Sequence, residues 1–350
     1  MIKEYCSVTQ IENEWRKISE QGNINYCQSY LWTKYTEEFC AGNIFKKLYF
    51  GNVRYFCYFD GDNCTMILPT QLKGKTAHLL GWKTPNDYEG FLYHTEVWGG
   101  VLRDMLDYIS TRYGIKTFDF GFNTPKQNNF IPLLTELPEN EWIIEKEESF
   151  NVMLPYTFES FEEYFKTLSK STRQNYRTAI NRLRKDGKSF SFDFYENEIP
   201  EIEMNNFLKD HKERLSNRYL NNRSAIVEKT LEPARRLIYG KYRRDGIAAL
   251  SMKKGNNQIL AVMKIDNKNA AYYYGLISES SEMKRINFFR VCVNDTEFGF
   301  YSPGMILGME IIKKYQAEFS IYDFTKGDES YKYKFGCQNE DDFFVRIKRK

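Results

Sequence analysis

Two periodicities of apolar residues divide this chain into strands and helices. In segments 189–196 and 341–350 apolar and polar residues alternate, which predicts half-buried strands. In segments 161–168 and 176–183 apolar residues recur three and four positions apart, which predicts amphipathic helices. Both kinds of pattern recur along the chain, so the sequence predicts a mixed architecture rather than an all-helical or all-strand one.

The order of these patterns predicts an α+β layout. Residues 1–40 have a helical pattern, and the polar cluster at 60–63 predicts a hairpin turn between two apolar strands. A long helical stretch is predicted at 201–244, and three antiparallel strands are predicted over 247–278. Strands and helices therefore occur in separate runs, as is typical of α+β proteins.

An internal repeat gives the clearest evidence on domain organisation. Segments 86–121 and 294–327 both contain Asn-Asp-x-Glu, an amphipathic helix and a strand that ends in Asp-Phe. The repeat favours two related halves, which we place at residues 1–155 and 156–350. The alternative is a chance similarity between two helix–strand units.

Composition limits the class of protein. The 350 residues suffice for two cores, and 42% hydrophobic with 28% charged residues is typical of a globular chain. The formal net charge is only +3, but residues 166–188 carry eight Lys or Arg and one acid. A basic segment of this kind can meet phosphates or anionic glycans.

The sequence contains no pattern of export, membrane insertion or metal binding. Residues 1–17 lack an apolar signal region, and no apolar run approaches the ~20 residues of a membrane span. The seven Cys include no Cys-x-x-Cys, and the three His are far apart. We therefore expect a cytoplasmic protein with reduced thiols and no metal.

The segment around Ser302-Pro303-Gly304 is a candidate phosphate site. Ser302 can be the N-cap of a helix and Pro303 its first residue, while Gly304 removes a side chain beside the free N–H groups. Helix N-termini of this kind bind phosphate or pyrophosphate. The alternative is that Ser-Pro-Gly only begins a helix.

These segments resemble a known family. The C-terminal half is similar to the CelD-like branch of the GNAT acyltransferase superfamily, which is related in fold to the Fem-type peptidyltransferases. The similarity extends from about Gln28 to the C-terminus and is more specific in the C-terminal half. The matching features are Ser302-Pro303-Gly304, Asp323, Gly327, Tyr331 and Lys332, the basic helix at 168–187, and His211–Arg218.

The resemblance implies tandem GNAT-like domains, each a mixed, mostly antiparallel sheet flanked by helices, with acyl-CoA bound in the second. The acyl donor would lie beside a splayed strand, at 270–277 or 288–293. One departure is that the loop lacks the family's usual Arg/Gln-x-x-Gly-x-Gly/Ala pattern. The implied donor-binding residues are Ser302, Pro303, Gly304, Met305, Ile306, Leu307 and Lys332.

The resemblance also implies roles in catalysis. Asp323 would orient or deprotonate the acceptor, Tyr331 (with Tyr333 as the alternative) would protonate the departing thiolate, and backbone N–H groups would hold the oxyanion. The spacing of Arg173 and Arg177 on one helix face indicates, independently of the resemblance, that they would bind an anionic acceptor, and strand alternation would place Tyr273 in the cleft. The structural alternatives are that Asp323 caps the next turn, that the tyrosines pack against other aromatic rings, and that Arg173 and Arg177 form a solvated basic face.

The resulting hypothesis is an enzyme that moves an acyl group, such as acetyl, from acyl-CoA to an amine or hydroxyl. Family analogy suggests that the acceptor is a sugar of a surface polysaccharide or another cell-envelope precursor. One alternative is a Fem-type transferase that uses aminoacyl-tRNA, which the basic segment would favour. The other is a binding module without catalysis.

Overall fold

The computed structural model describes residues 1–21, 24–84, 90–94, 97, 99–123, 130–220, 257–279 and 283–350. The strands are β1 (Ile2–Tyr5), β2 (Asn52–Asp60), β3 (Asn63–Lys73), β4 (Thr76–Leu79), β5 (Leu92–Tyr93), β6 (Thr117–Asn123), β7 (Trp142–Pro155), β8 (Phe190–Glu196), β9 (Gln258–Ile265), β10 (Lys268–Glu279), β11 (Lys284–Val293), β12 (Ile321–Lys326) and β13 (Gln338–Arg349). The helices are α1 (Glu12–Gln21), α2 (Tyr30–Ala41), α3 (Ile44–Phe50), α4 (Gly99–Tyr113), α5 (Ile131–Leu134), α6 (Phe161–Thr167), α7 (Lys170–Lys185), α8 (Glu201–Leu220), α9 (Asp295–Phe298), α10 (Pro303–Tyr315) and α11 (Ser330–Tyr333).

Many of the local predictions agree with these elements, but residues 1–40, predicted as helical, begin with the strand β1, and α3 is a helix that the sequence pattern did not indicate. β2 and β3 form the predicted hairpin, in which Asp60 pairs with Asn63 and Gly61 has a φ of 58°. The positive φ explains the glycine, because other residues adopt this conformation at a cost. The helix predicted from residue 201 is α8. Residues 221–256, which include its expected continuation and the first of the three expected strands, lie outside the described residues.

The strands form one continuous sheet across both halves of the chain. Their order is β1-β2-β3-β4-β6-β13-β7-β12-β11-β10-β9-β8, and β5 pairs with β3. Most neighbours are antiparallel; the exceptions in this order are the β4–β6 and β11–β12 pairs, which are parallel. The predicted α+β fold with mixed, mostly antiparallel sheets is confirmed.

The two halves repeat the same topology. In each half antiparallel strands lead to a helix that crosses over to a parallel strand: α4 connects β4 to β6, and α10 connects β11 to β12. Both parallel ladders contain three residue pairs, and the last pairs are His78–Asp119 and Asn287–Asp323. The two Asp-Phe strand ends of the sequence repeat therefore occupy equivalent positions. The Asn-Asp-x-Glu of the first repeat includes residues outside the described ones.

The halves exchange a strand across their junction. β7 follows the first half in sequence but pairs with β12 of the second. β13 ends the second half but pairs with β6 of the first. β7 and β13 pair with each other along twelve positions, from Gln338–Met153 to Arg349–Trp142. Each half therefore needs a strand from the other, although the predicted boundary at 155/156 follows directly after β7.

The core reflects this exchange. Val345 and Ile347 of β13 are fully buried in the apolar cluster of the first half, which α4 also lines. α10 packs in a second cluster with one face of the second half's sheet, and a third cluster brings α1, α2 and α8 together. The last strand of the chain is thus part of the core of the first half.

We expect Ile347→Ala to destabilise the first half, because it removes fully buried methyl groups from that core. The loss in unfolding free energy should be about 2–5 kcal/mol, measured by denaturant titration. Hydrogen exchange should accelerate in β6 and α4. Ile143→Ala is the matched control, since Ile143 pairs with Lys348 in the adjacent ladder but is 43% exposed. Faster exchange confined to β9–β12 would contradict the proposed coupling.

Candidate functional site

The site is located where two parallel strands separate. β11 and β12 pair from Arg285–Ile321 to Asn287–Asp323 and then diverge, while β11 continues to Val293 and β12 to Lys326. α10 begins beside the end of β11. The divergence opens the sheet and leaves the backbone groups of both strands facing a gap.

A cleft of about 700 Å³ fills this gap. It runs from α7 and the start of α10 to α8, so groups from several elements meet in it. Tyr273 and Phe288 on strands β10 and β11 and Phe324 on β12 supply apolar walls. The polar and charged lining residues are Asn175, Thr178, Arg182, His211, Arg214, Arg290, Asp295, Ser302, Thr325, Lys326, Glu329, Ser330, Tyr331, Lys332 and Lys334.

The start of α10 fits tightly against β11. Ser302 is the N-cap in a left-handed conformation (φ 51°), and Pro303 is the first helical residue. A Cβ on Gly304 would lie 2.8 Å from Val293 Cγ2, closer than carbon atoms approach one another. Glycine is therefore needed at 304 for the helix to begin at this distance from the strand.

Only part of the predicted donor loop faces the cleft. Residues 302–305 line it, whereas Ile306 and Leu307 are fully buried in the core. The N–H groups of Met305 and Ile306 donate to the Ser302 carbonyl (3.1 and 3.2 Å). Proline has no N–H, so the first turn offers the Gly304 N–H as its remaining donor.

Two tyrosines predicted for the site do line the cleft. Tyr273 is buried, and its hydroxyl donates to the Gly304 carbonyl (3.3 Å) beneath the start of α10. Tyr331 is 37% exposed. Partial burial raises the pKa of Tyr331 to about 12, and nearby Glu329 adds to the shift while Arg214 opposes it. Tyr331 therefore keeps its proton at neutral pH.

Asp323 is buried away from the cleft. Tyr322 and Phe324 face the core beside α10, so strand alternation turns Asp323 to the opposite face. The carboxylate is fully buried, forms an ion pair with Arg285 (3.1 Å), and accepts a hydrogen bond from the Thr325 N–H (2.7 Å). It does not line the cleft.

The Asp323 hydrogen bond supports an unusual backbone. Thr325 has a φ of 59°, which is costly for a β-branched residue, at a bulge where β12 shifts its register against β7. Gly121 has a φ of 60° at the equivalent bulge of β6, two residues after Asp119. The first half uses glycine where the second half places a strained threonine in the cleft wall.

Lys332 also serves this turn. Its side chain is 3% exposed, and the ammonium donates to the carbonyls of Thr325 (3.3 Å), Lys326 (2.7 Å) and Gly327 (3.0 Å). It also pairs with Glu329 (2.9 Å). An ammonium with these partners holds the strand end in place, which differs from the phosphate contact expected of it.

α7 presents a different face to the cleft from the one predicted. Arg173 donates to the carbonyls of Lys166 and Leu168, and Arg177 lies over the Phe165 ring; neither lines the cleft. The helix rotation is fixed by its buried residues Thr172, Ala179 and Leu183. That rotation turns Asn175, Thr178 and Arg182 towards the cleft instead.

Sequence reasoning did not assign His211, Arg214 or Arg290 to the cleft. His211 and Arg214 are three residues apart on α8, so they share a helix face. Their spacing within the His211–Arg218 segment was the available signal. The sequence contained no signal for Arg290, because its position in the cleft depends on the divergence of β11 from β12.

Arg214 marks the free edge of β11. Its guanidinium donates to the Val291 carbonyl (2.9 Å), so that carbonyl points into the gap. The backbone N–H of Asn294 instead donates to the Ala270 carbonyl of β10. This agrees with the alternation along a strand, in which successive residues direct their backbone groups to opposite edges. The Val291 N–H points the same way as its carbonyl, towards the cleft.

Neither a metal nor a membrane span is indicated by the described residues. They contain no group of three or more His, Cys, Asp or Glu side chains placed to hold a metal ion. None of their helices is both long and apolar enough to cross a bilayer.

Comparisons with known proteins agree with this geometry. A family model described as "Acetyltransferase (GNAT) domain" matches residues 170–333. A protein of unknown function from Bacteroides thetaiotaomicron is similar over 100% of both chains, with 11% identity and a TM-score of 0.57. No curated protein matches the sequence.

Two further solved structures share the fold. One is the C-terminal domain of a candidate lysylphosphatidylglycerol synthetase from Agrobacterium fabrum (12% identity, 97% of this chain and 92% of that one, TM-score 0.52). The other is FemX (11% identity, 98% and 97%, TM-score 0.50). The predicted fold of tandem GNAT-like halves is confirmed.

We expect Asp323→Asn to act first on stability, because it leaves the buried Arg285 guanidinium without its counter-charge. The unfolding free energy should fall by about 3–5 kcal/mol in denaturant titrations. Glu12→Gln is the control: Glu12 and its partner Arg16 are 41% and 53% exposed, so the loss should stay within about 1 kcal/mol. Unchanged stability with a large loss of turnover would instead support the predicted role of Asp323, which is to orient or deprotonate the acceptor.

Proposed function

We propose, from the GNAT domain that residues 170–333 match, that the chain transfers an acyl group, such as acetyl, from acyl-CoA to an amine or hydroxyl. The observation that carries the proposal is the gap between β11 and β12, which the start of α10 borders. The gap brings a helix N-terminus, a free strand edge and a half-exposed tyrosine into one cleft.

The α7–α10 end of the cleft suits the phosphates of the donor. The Gly304 N–H is available there, and Asn175, Thr178 and Arg182 of α7 line the same region. Arg182 lies over the Phe300 ring and donates to the Phe300 carbonyl (3.1 Å), which holds its charge near the loop. Because the loop supplies few N–H groups, we assign much of the phosphate binding to these side chains.

The strand edge suits the reacting carbonyl. When bound, acyl-CoA would supply an activated thioester. The Val291 N–H faces the gap and can donate to an oxygen on which negative charge develops. A backbone donor fixed by the sheet needs no reorganisation during the reaction, which is why we assign it this role.

Two side chains suit the proton transfers. Tyr331 keeps its hydroxyl protonated, so it can donate to a departing thiolate. His211 lines the other end of the cleft, and an imidazole nitrogen can accept a proton from an acceptor group. We therefore propose His211 as the base that draws the proton from the acceptor, and Asp323 as a residue that positions the Thr325 turn.

For the acceptor we propose a sugar amine or hydroxyl of a surface polysaccharide or cell-envelope precursor. The support is the resemblance to the CelD-like branch. Arg214 adds support for an acceptor with an anionic group, because no carboxylate within the described residues forms an ion pair with its guanidinium, which borders the gap. Arg173 and Arg177, on another face of α7, do not carry this role.

Arg182→Ala should weaken acyl-CoA binding about tenfold, because it removes a cation beside the phosphates. Calorimetry with acetyl-CoA and with CoA would measure the change, and the affinity of the parent protein should fall with salt. Arg177→Ala, on the same helix but outside the cleft, should leave the affinity unchanged. Equal effects of the two changes would remove α7 from the donor site, and no CoA binding by the parent protein would overturn the proposed donor.

Tyr331→Phe should lower kcat about tenfold or more, with KM for the donor nearly unchanged, because the hydroxyl acts on the leaving group. Since the pKa of Tyr331 is about 12, its hydroxyl stays protonated below that pH. The pH profiles of the parent and variant should therefore run parallel up to about pH 10.

Tyr333→Phe is the matched control for this experiment. Tyr333 has the same 37% exposure, but its hydroxyl lies 2.6 Å from Asp328 and the side chain does not line the cleft. Its kcat should equal that of the parent. If both variants lose the same activity, the hydroxyl of Tyr331 has no special part in the transfer.

A second candidate is transfer of an aminoacyl group from aminoacyl-tRNA. The specific observation is the set of cations along the cleft, Arg182, Arg214, Arg290, Lys326 and Lys334, together with a fold shared with FemX. Binding of charged tRNA with a steep salt dependence, without binding of acetyl-CoA, would favour this candidate. Binding of either donor without turnover would indicate a module that has lost catalysis.

A further inference from the structure

An apolar surface lies on α3, in the first half of the molecule. Ile44, Phe45 and Leu48 are 62%, 54% and 70% exposed. Phe45 and Leu48 follow Ile44 by one and four positions, so the three side chains lie on one side of this seven-residue helix. Among the described residues, the other exposed aliphatic side chains, Met1, Ile143 and Ile202, occur singly, which is ordinary for a protein surface, whereas a cluster indicates a contact.

Lysines and aromatic rings border this surface. Lys47 belongs to α3 itself, whereas the ammonium of Lys46 lies over the buried Phe39 ring and is not part of this border. Lys73 and Lys83 both lie over the rings of Tyr49, also in α3, and Trp82. Among the described residues, no carboxylate forms an ion pair with the ammonium of Lys47, Lys73 or Lys83. We call Ile44, Phe45, Leu48 and these three lysines the α3 surface.

We propose that the α3 surface docks the protein on the surface of an anionic lipid bilayer. Ile44, Phe45 and Leu48 would enter the boundary between headgroups and acyl chains, and the lysines would meet lipid phosphates. Trp82 and Tyr49 would lie at headgroup level, where amphipathic rings are favoured. The inference does not depend on the chemistry in the cleft.

The charge pattern favours a bilayer over other partners. In a two-fold dimer formed through α3, the lysines of one copy would face the same lysines of the other, and like charges repel. A nucleic acid would bind through arginine and stacked rings, whereas the exposed centre here includes the aliphatic side chains of Ile44 and Leu48. An anionic bilayer satisfies both the apolar centre and the basic border.

Vesicle co-sedimentation of the full chain tests the proposal. The parent should bind vesicles of equimolar phosphatidylglycerol and phosphatidylcholine, and should bind phosphatidylcholine alone at least about tenfold more weakly. Leu48→Asn should lower the partition coefficient about tenfold, because one large apolar side chain no longer enters the bilayer. Lys47→Glu and Lys83→Glu should each lower it about fivefold or more, and added salt should weaken the parent.

Ile202→Asn is the matched control. Ile202 is 69% exposed on α8, so the substitution has the same chemistry at the same exposure but outside the α3 surface. Its partition coefficient should equal that of the parent. The proposal fails if the parent does not bind the mixed vesicles, or if Leu48→Asn and Ile202→Asn bind equally well. It also fails if ultracentrifugation shows a dimer that Leu48→Asn dissociates while vesicle binding persists.

Discussion

The separation of β11 from β12 is the constraint on which the rest of the second half depends. Once pairing ends at Asn287 and Asp323, the backbone groups on both edges lose their strand partners, and buried groups of this kind must find others. Arg214 donates a hydrogen bond to the Val291 carbonyl, and Asp323 accepts one from the Thr325 N–H. Lys332 donates to three carbonyls at the end of β12. The cleft exists because side chains, rather than a neighbouring strand, satisfy these groups.

Because side chains must satisfy the backbone groups at the diverging strand edges, polar residues of the family motif have structural partners. Asp323 and Lys332 are charged, yet both are buried: Asp323 pairs with Arg285 of β11, and Lys332 pairs with Glu329 beside the turn that forms the cleft wall. Their positions keep Thr325 in a conformation that a β-branched residue adopts only under restraint. In our proposal the chemistry is carried out by the Val291 N–H, Tyr331 and His211, all of which line the cleft. A strained turn held from two sides is rigid, and rigidity favours accurate positioning of a reacting group.

The exchange of β7 and β13 between the halves connects the rigid cleft wall to the first half of the molecule. β12 carries the cleft wall, β7 supports it from the other edge, and β7 pairs with β13 along nearly its whole length. β13 in turn completes the sheet and core of the first half. The first half therefore stabilises the site, although no residue described as lining the cleft belongs to residues 1–155. A duplicated architecture can retain one half as a support in this way.

The sequence by itself determined many of the elements, the repeat and the tight start of α10. Periodicity and turn chemistry are local, so the hairpin at Gly61 and the helix start at Pro303 could be predicted from neighbouring residues. The family motif also located the strand end that carries Asp323. Tertiary structure decided which side chains face the cleft: the burial of Ala179 and Leu183 rotates α7, and strand alternation turns Asp323 away. It also decided the exchange of β7 and β13, because strand pairing depends on contacts between residues distant in sequence, which no local pattern records.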